Sequence, residues 1–370
     1  MKKIKICHLS SAHADGDVRI FHKECTSLAE AGHDVHLVIP NTTNRLEKGV
    51  QIHSFSLEAK SRLQRMRKTT KKVYQIALEI DADIYHFHDP ELLPYGLKLI
   101  KKGKKVIYDA HEDVPRQIAG KFWIPGLIRP LIAKTFELYE NYVAKRLSFV
   151  VVATPTIKNR FIKINKNCED VCNYPILEEN TTPSAWENRK NEICYIGGIT
   201  EIRGIKELVA SLPNNQEIKL NLAGNYSPTS FRDELVNTNG WNQVNEYGYV
   251  GRQEIVGILN QSKIGMVTLY PQENYLDSLP IKLYEYMLAE IPVVASNFPL
   301  WEQIISDSDC GVCVNPKKPE EIGKAINTIL TDDTRAQQMG KNGRKAVLEK
   351  YNWSIEKEKL KSIYLNLMSK

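Results

Sequence analysis

The chain has 370 residues, of which 42% are hydrophobic and 25% charged, with a formal net charge of +6. At about 150 residues per domain that length points to two domains, and the composition excludes a disordered chain, a collagen-like repeat and a disulfide scaffold. No apolar run approaches the ~20 residues of a membrane-spanning helix, and the opening MKKIKICHLSSAH lacks the apolar stretch of a secretory signal, so the expected location is the cytoplasm.

The first apolar run is Ile4 to Leu9, followed by the polar loop SSAHADGD and a helical pattern from Arg19 to Ala31. Gly32 stops that helix. Strands are expected at 35–39, 84–88, 105–109 and 149–153, with helical patterns between them. This alternation is the pattern of a parallel sheet with crossover helices. It pauses at residues 173–190, where two prolines and many polar residues read as a linker. It resumes with strands expected at 193–196, 219–223, 263–268, 292–295 and 311–314, and with helices at 281–289 and 320–330. Two doubly wound α/β units joined by a linker make a cleft, and open α/β sheets bind ligands at the carboxyl ends of their strands.

Charge is distributed unevenly. Residues 1–170 hold 29 Lys and Arg against 19 Asp and Glu, a net +10, and residues 171–370 carry a net −4. The first half is therefore the half expected to meet an anionic surface or ligand. The seven cysteines are an odd number scattered along the chain, so reduced thiols are expected. A zinc site from Cys168 with Cys172 and Cys310 with Cys313 would need the pairs to meet across about 140 residues, and the CxxxC spacing of the first is a poor ribbon knuckle.

Two stretches carry chemistry. In DSLPIKLYEYMLAEIPVVAS, residues 277–296, Pro280 opens a helix that leads into a buried strand. Asp277 lies in the preceding loop and Glu285 two turns into the helix. A helix start behind a loop suits a phosphate, and a carboxylate deeper on that face suits a pair of hydroxyls. The bland alternative is a surface helix with a solvated Glu. In YIGGITEIRGIKEL, residues 195–208, a strand runs into Gly197-Gly198 and then Arg203-Gly204 opens a helix. Arginine there can clamp a phosphate with a fork of donors, and an ordinary strand–turn–helix is the alternative. The stretch matches neither G-x-G-x-x-G nor the P-loop.

Together these stretches resemble the second domain of family-4 glycosyltransferases with the GT-B fold. Asp277 and Glu285 fill the E-x7-E slot, and Arg203-Gly204 the basic-Gly slot. The resemblance extends over the whole chain through the loop with Asp17, Arg19, Lys23 and Glu24, FHDPELLP at 87–94, YDAHED at 108–113, NYP at the boundary and YNWS before the last helix. It implies two Rossmann-like domains facing each other across a cleft: an acceptor-binding domain at 1–174, a linker at 175–190, a nucleotide-sugar domain at 191–352, and a helix at 353–370 crossing back. It implies that Glu285 binds the donor ribose, that Asp277 touches the donor sugar, and that Arg203 holds the pyrophosphate. His111 faces the sugar, and Gly197, Gly198, Lys282 and Leu283 complete the donor cradle. Asp17, Arg19, Lys23, His88 and Glu112 are the acceptor-side candidates. Two positions depart from the family pattern: the first acid is Asp rather than Glu, and Gly198 stands where a second basic residue is usual.

His86, His88 and His111, with Asp89 and Glu112, also read as a metal cluster. The resemblance argues against a catalytic metal or any other cofactor, and no DxD-like pair stands in a loop suited to hold a metal-bound nucleotide. The implied reaction is metal-independent, retaining transfer of a hexosyl group from a nucleotide-sugar, with UDP expected over GDP. The readings set against it are a UDP-sugar 2-epimerase on the same fold and a non-catalytic sugar-nucleotide-binding module. Residues 60–74 carry seven basic residues and no acid, and residues 121–134 are apolar and framed by bases. Both suit an anionic leaflet, so the expected acceptor is a lipid-linked saccharide in bacterial surface-polysaccharide synthesis, with the protein peripheral at the inner face of the cell membrane. Nucleic acid is not an expected partner, since the basic run lacks interleaved aromatics and a binding fold.

Overall fold

A computed structural model describes residues 3–57, 61, 64–120, 124–177, 182–212 and 218–369. The chain divides into two compact units. One holds Met1–Asn173 with Trp353–Lys370, the other Tyr174–Asn352.

Among the described residues, the first unit carries an eight-stranded sheet: β1 (Lys5–Leu9), β2 (Asp34–Pro40), β3 (Arg45–Glu47), β4 (Val50–Phe55), β5 (Ile84–Phe87), β6 (Lys105–Ala110), β7 (Phe149–Val152) and β8 (Cys168–Asp170). The order is β3-β4-β2-β1-β5-β6-β7-β8. Successive strands leave β1 in both directions, so the topology switches there and opens a crevice at its carboxyl end. Buried strands such as Ile84–Phe87 are apolar or aromatic over most of their length because helices cover both faces. The hairpin β3–β4 was not anticipated: β3 pairs antiparallel to β4 through Lys48-Gly49, both at positive φ, the geometry of a two-residue primed turn. The expected helix over 19–31 is Val18–Cys25, in wide turns, followed by Thr26–Glu30. Asp17 caps it, its Oδ1 accepting from the backbone N–H of Arg19 and Ile20 at 2.9 Å each. The final helix, Trp353–Ser369, belongs to this unit, where Trp353 Nε1 donates to Ser27 Oγ at 2.9 Å.

The second unit carries β9 (Glu192–Ile196), β10 (Lys219–Ala223), β11 (Val244–Gly248), β12 (Ile264–Val267), β13 (Val293–Ser296) and β14 (Gly311–Val314), in the order β11-β10-β9-β12-β13-β14. Every pairing is parallel, and the switch falls between β9 and β12. The core gathers Ile193, Tyr195, Leu220, Leu222, Ile264 and Met266 from the strands, with Leu208, Ile322 and Ile326 from helices on the sheet.

The stretch expected as a linker is only partly one. Residues 178–181 lie outside the described residues, but Trp186 is buried in a short helical turn. Arg189 donates to the carbonyls of Leu259, Ser262 and Ala289 at 2.7, 2.9 and 2.8 Å. These contacts make the end of the stretch part of the second unit. Of the two membrane-directed stretches, residues 60, 62, 63 and 121–123 lie outside the described residues. Val73 is buried, Met66 exposed, and Leu127, Ile128, Leu131 and Ile132 are exposed.

Candidate functional site

The switch point of the second sheet places two loops side by side, one after β9 and one after β12. The first runs through Gly197 and Gly198 into the short turn Glu201–Arg203. Gly204 then takes φ +65°, and a Cβ there would lie 2.0 Å from the carbonyl oxygen of Thr268 on the neighbouring loop. Only glycine allows this turn and this approach together. Tyr270 N donates to Ile202 O at 2.9 Å, closing the two loops on each other. Gly197 has φ +138°, and a Cβ there would sit 2.9 Å from Lys282 Nζ and 3.3 Å from an Arg203 guanidinium nitrogen. The glycine therefore leaves room for both cations at one point.

Lys282 lies in the first turn of the helix Ile281–Leu288. Its side chain is enclosed, its Nζ has no hydrogen-bond partner, and the ammonium sits 3.8 Å from the centroid of the Tyr195 ring. Burial, and then the charge of Arg203, push its pKa well below the ordinary lysine value. Such a group calls for an anion. Tyr195 donates its hydroxyl to Gly198 O at 3.0 Å, so the platform under Lys282 also fixes the glycine loop. One turn along the helix, Glu285 Oε1 accepts from Arg252 at 2.7 Å. Asp277 is exposed at the end of the short helix Glu273–Leu276, in a loop held by Ser278 Oγ on Tyr275 O and by Trp301 Nε1 on Ser278 O. The structure thus brings Gly197, Gly198, Arg203, Lys282 and Glu285 to one end of the sheet. Leu283 is corrected: its side chain is in the core and its N–H donates to Pro280 O at 3.0 Å, so neither reaches a ligand.

In the first unit, His111 follows β6, and its Nε2 donates to Asp109 Oδ2 at 2.8 Å. That bond leaves Nδ1 as the nitrogen open to a ligand. Asp109 also takes a fork from Arg19, Nε to Oδ2 at 2.9 Å and Nη2 to Oδ1 at 2.7 Å, while Nη1 donates to Val171 O at 2.6 Å. Three acceptor-side candidates are corrected by this packing. Arg19, Lys23 and His88 are buried, with Lys23 Nζ on Asn173 Oδ1 at 2.5 Å and His88 Nδ1 on Asp109 Oδ2 at 3.1 Å. Side chains enclosed in this way hold the unit together and do not present a surface to an acceptor. Asp17 is the helix cap, and Glu112 is exposed with Gln117 on its carboxylate. Asp89 is also enclosed, accepting from Ser11 N at 2.6 Å and facing His13 Nδ1 at 3.2 Å. Burial alone would raise its pKa, but His13 and these donors bring it down to about 2.

Sequence reasoning missed Tyr195, Arg252, His8, His13 and Asp109. Tyr195 and Asp109 stood inside quoted motifs, where a strand pattern explained them. Arg252 is far from Glu285 in sequence, and no spacing rule joins them.

The family described as Glycosyl transferases group 1 matches residues 178–346, and Glycosyltransferase Family 4 matches residues 15–171. An uncharacterized glycosyltransferase of Methanocaldococcus jannaschii is 22% identical over 80% of this chain and 77% of its own. A phosphatidyl-myo-inositol mannosyltransferase of Mycolicibacterium smegmatis is 20% identical over 91% of this chain and 86% of its own. Among solved structures, sucrose-phosphate synthase of Thermosynechococcus elongatus superposes with a TM-score of 0.79 at 17% identity, covering 98% of this chain and 99% of that one. Anabaena Alr3699/HepE in complex with UDP-glucose gives 0.73 at 14% identity, covering 98% and 100%. These likenesses show the GT-B fold, and with one family match on each unit the chain belongs to the group 1, family 4 glycosyltransferases.

Proposed function

We propose that this glycosyltransferase takes a hexosyl group from a UDP-sugar and passes it, with retention and without a catalytic metal, to a lipid-linked saccharide of a surface polysaccharide. The observation that carries the donor half is Lys282. An enclosed ammonium with no hydrogen-bond partner, beside Arg203 and a glycine loop, is a receptacle for a diphosphate. Glu285 on the same helix is the acceptor for a ribose diol once Arg252 yields to it. Similarity to a protein solved with UDP-glucose supports uridine as the base.

The chemistry follows from charge. Breaking the anomeric C–O bond builds positive charge on the sugar and negative charge on the departing diphosphate. Arg203 and Lys282 stabilise the latter. Among the described residues of the cradle, Gly197, Gly198, Arg203 and Lys282 offer no covalent nucleophile, which supports attack from the face the diphosphate leaves. Asp277 is assigned to the sugar hydroxyls, and His111 to a role in transfer.

The acceptor half rests on the helix Arg129–Ala144. Ile128, Leu131, Ile132, Leu138, Tyr139 and Tyr142 recur at helical spacing and are exposed, forming an apolar stripe suited to a membrane interface. Among the described residues, no helix is long and apolar enough to cross a membrane.

The test is calorimetry of the purified chain with UDP, GDP, ADP and CMP in EDTA, followed by turnover of UDP-sugars by wild type and Glu285→Ala. Binding of UDP alone and loss of turnover in the variant are expected. No nucleotide binding, or full turnover by Glu285→Ala, would overturn the reading.

A further inference from the structure

The first unit holds a second cluster of chemistry-bearing side chains, away from any donor role. His8 on β1 and His86 on β5 are register partners on adjoining strands, and His88 follows two residues later. The helix Val18–Cys25 sets Glu24 against them. All four side chains are enclosed, none more than 2% exposed. One nitrogen or oxygen from each lies within 4.8 Å of the others.

The distances are those of a coordination sphere. His8 Nδ1 is 2.9 Å from His88 Nε2 and 3.9 Å from Glu24 Oε2, and His86 Nδ1, which also meets the Tyr364 hydroxyl at 2.7 Å, is 3.8 Å from the same oxygen. Two ligands held ~2.1 Å from a tetrahedral zinc lie ~3.4 Å apart, and these edges bracket that value. The outer partners orient the rings for it. His88 Nδ1 donates to Asp109 Oδ2 at 3.1 Å, which leaves the Nε2 lone pair facing the cluster. His8 Nε2 is 3.2 Å from the Tyr364 hydroxyl, an arrangement that lets it donate outward and turn the Nδ1 lone pair inward once a metal replaces the proton shared between His8 Nδ1 and His88 Nε2. A carboxylate or hydroxyl behind a ligating imidazole is the usual support of a metal site.

At its centre the cluster is satisfied only in part, by the one hydrogen bond that His8 Nδ1 and His88 Nε2 share. Neither oxygen of Glu24 has a hydrogen-bond partner, nor has His86 Nε2. Arg19 approaches Glu24 Oε1 at 3.2 Å, but its guanidinium is committed to Asp109 and Val171. Buried polar atoms left in this way are costly. Three imidazoles and one carboxylate are a donor set for a divalent transition ion.

We propose that His8, His86, His88 and Glu24 bind a divalent transition ion, zinc in the first instance, as a structural site that ties β1, β5 and the helix Val18–Cys25 together. The assignment departs from the cluster expected from sequence: Asp89 and Glu112 are not members, and His111 stands outside on Asp109. It is independent of the donor reading.

The experiment is metal analysis of the full-length chain after exposure to zinc and removal of excess, with the melting temperature read before and after a chelator. The expected result is about one equivalent of zinc per chain and a lower melting temperature after chelation. Glu24→Gln and His86→Gln are expected to fall below a tenth of that content, while Cys172→Ser keeps it. This control matters because Asp170, Cys172 and Glu356 form another compact group. If the variants fail to fold, cobalt loading of the wild type decides. Visible d–d absorption without a thiolate charge-transfer band supports the site. Zinc-free protein after loading, a colourless cobalt form, or metal lost with Cys172→Ser and kept in Glu24→Gln overturns it.

Discussion

Lys282 gives the sharpest prediction, because its cost to the free protein and its use in donor binding have opposite signs. Its ammonium is enclosed against the Tyr195 ring, without a hydrogen-bond partner and beside Arg203. An unsatisfied buried polar group costs about 1–3 kcal/mol. Lys282→Met keeps the length of the side chain and removes the charge. At about 2–4 °C per kcal/mol for a unit of this size, the free variant is expected to melt about 2–12 °C above wild type. A hydrogen bond to a charged group contributes about 1.5–3 kcal/mol, so the same variant loses about 10–150-fold in UDP affinity at about 1.4 kcal/mol per decade. The pH dependence follows. The folded chain holds the Lys282 pKa below its unfolded value, so the unfolded chain binds more protons and stability rises with pH through that interval. Bound diphosphate raises the pKa again, so wild type takes up a proton on binding and its affinity falls as pH rises. Calorimetry in two buffers of different ionisation enthalpy measures that proton, and scanning calorimetry the melting temperature. If Lys282→Met melts below wild type and still binds UDP with unchanged affinity, the reasoning is wrong.

Gly204→Ala combines a left-handed backbone penalty of about 1–2 kcal/mol with a Cβ 2.0 Å from Thr268 O. It is expected to destabilise the chain by about 2–5 kcal/mol in urea unfolding and to weaken UDP binding through Arg203. Gly257→Ala, in the helix Arg252–Gln261 where a Cβ meets nothing within 4 Å, is the control and gains a few tenths to about 1 kcal/mol. Equal effects of the two would refute the close-approach argument. Asp109→Asn leaves the enclosed Arg19 with Glu24, 3.2 Å away, as its remaining carboxylate, at a cost of up to about 3–5 kcal/mol. A urea midpoint within experimental error of wild type would show that Arg19 finds another partner.

Much of the fold was legible because buried parallel strands are apolar runs and crossover helices have their own period. Lys5–Leu9, Lys105–Ala110 and Gly311–Val314 were visible in that way. β11 was not, since VNEYG lies at a sheet edge with exposed polar residues, and β8 has only three residues. The Lys48-Gly49 hairpin left a weak local signal that the surrounding polar loop obscured.

Within the candidate site, Gly197, Arg203, Gly204, Lys282 and Glu285 were readable because a loop leading into a helix is a local arrangement, and residue type and spacing express it. Three things lay beyond local pattern. The partners of those residues, Tyr195 under Lys282 and Arg252 on Glu285, come from other strands and helices. Burial turned Arg19, Lys23 and His88 from surface candidates into internal struts. The His8, His86, His88 and Glu24 cluster exists only because β1 and β5 lie side by side under one helix. Sequence fixes which groups the chain possesses and the period on which they recur; the order of strands in the sheet decides which of them share a place without water, and a charge there must find a partner.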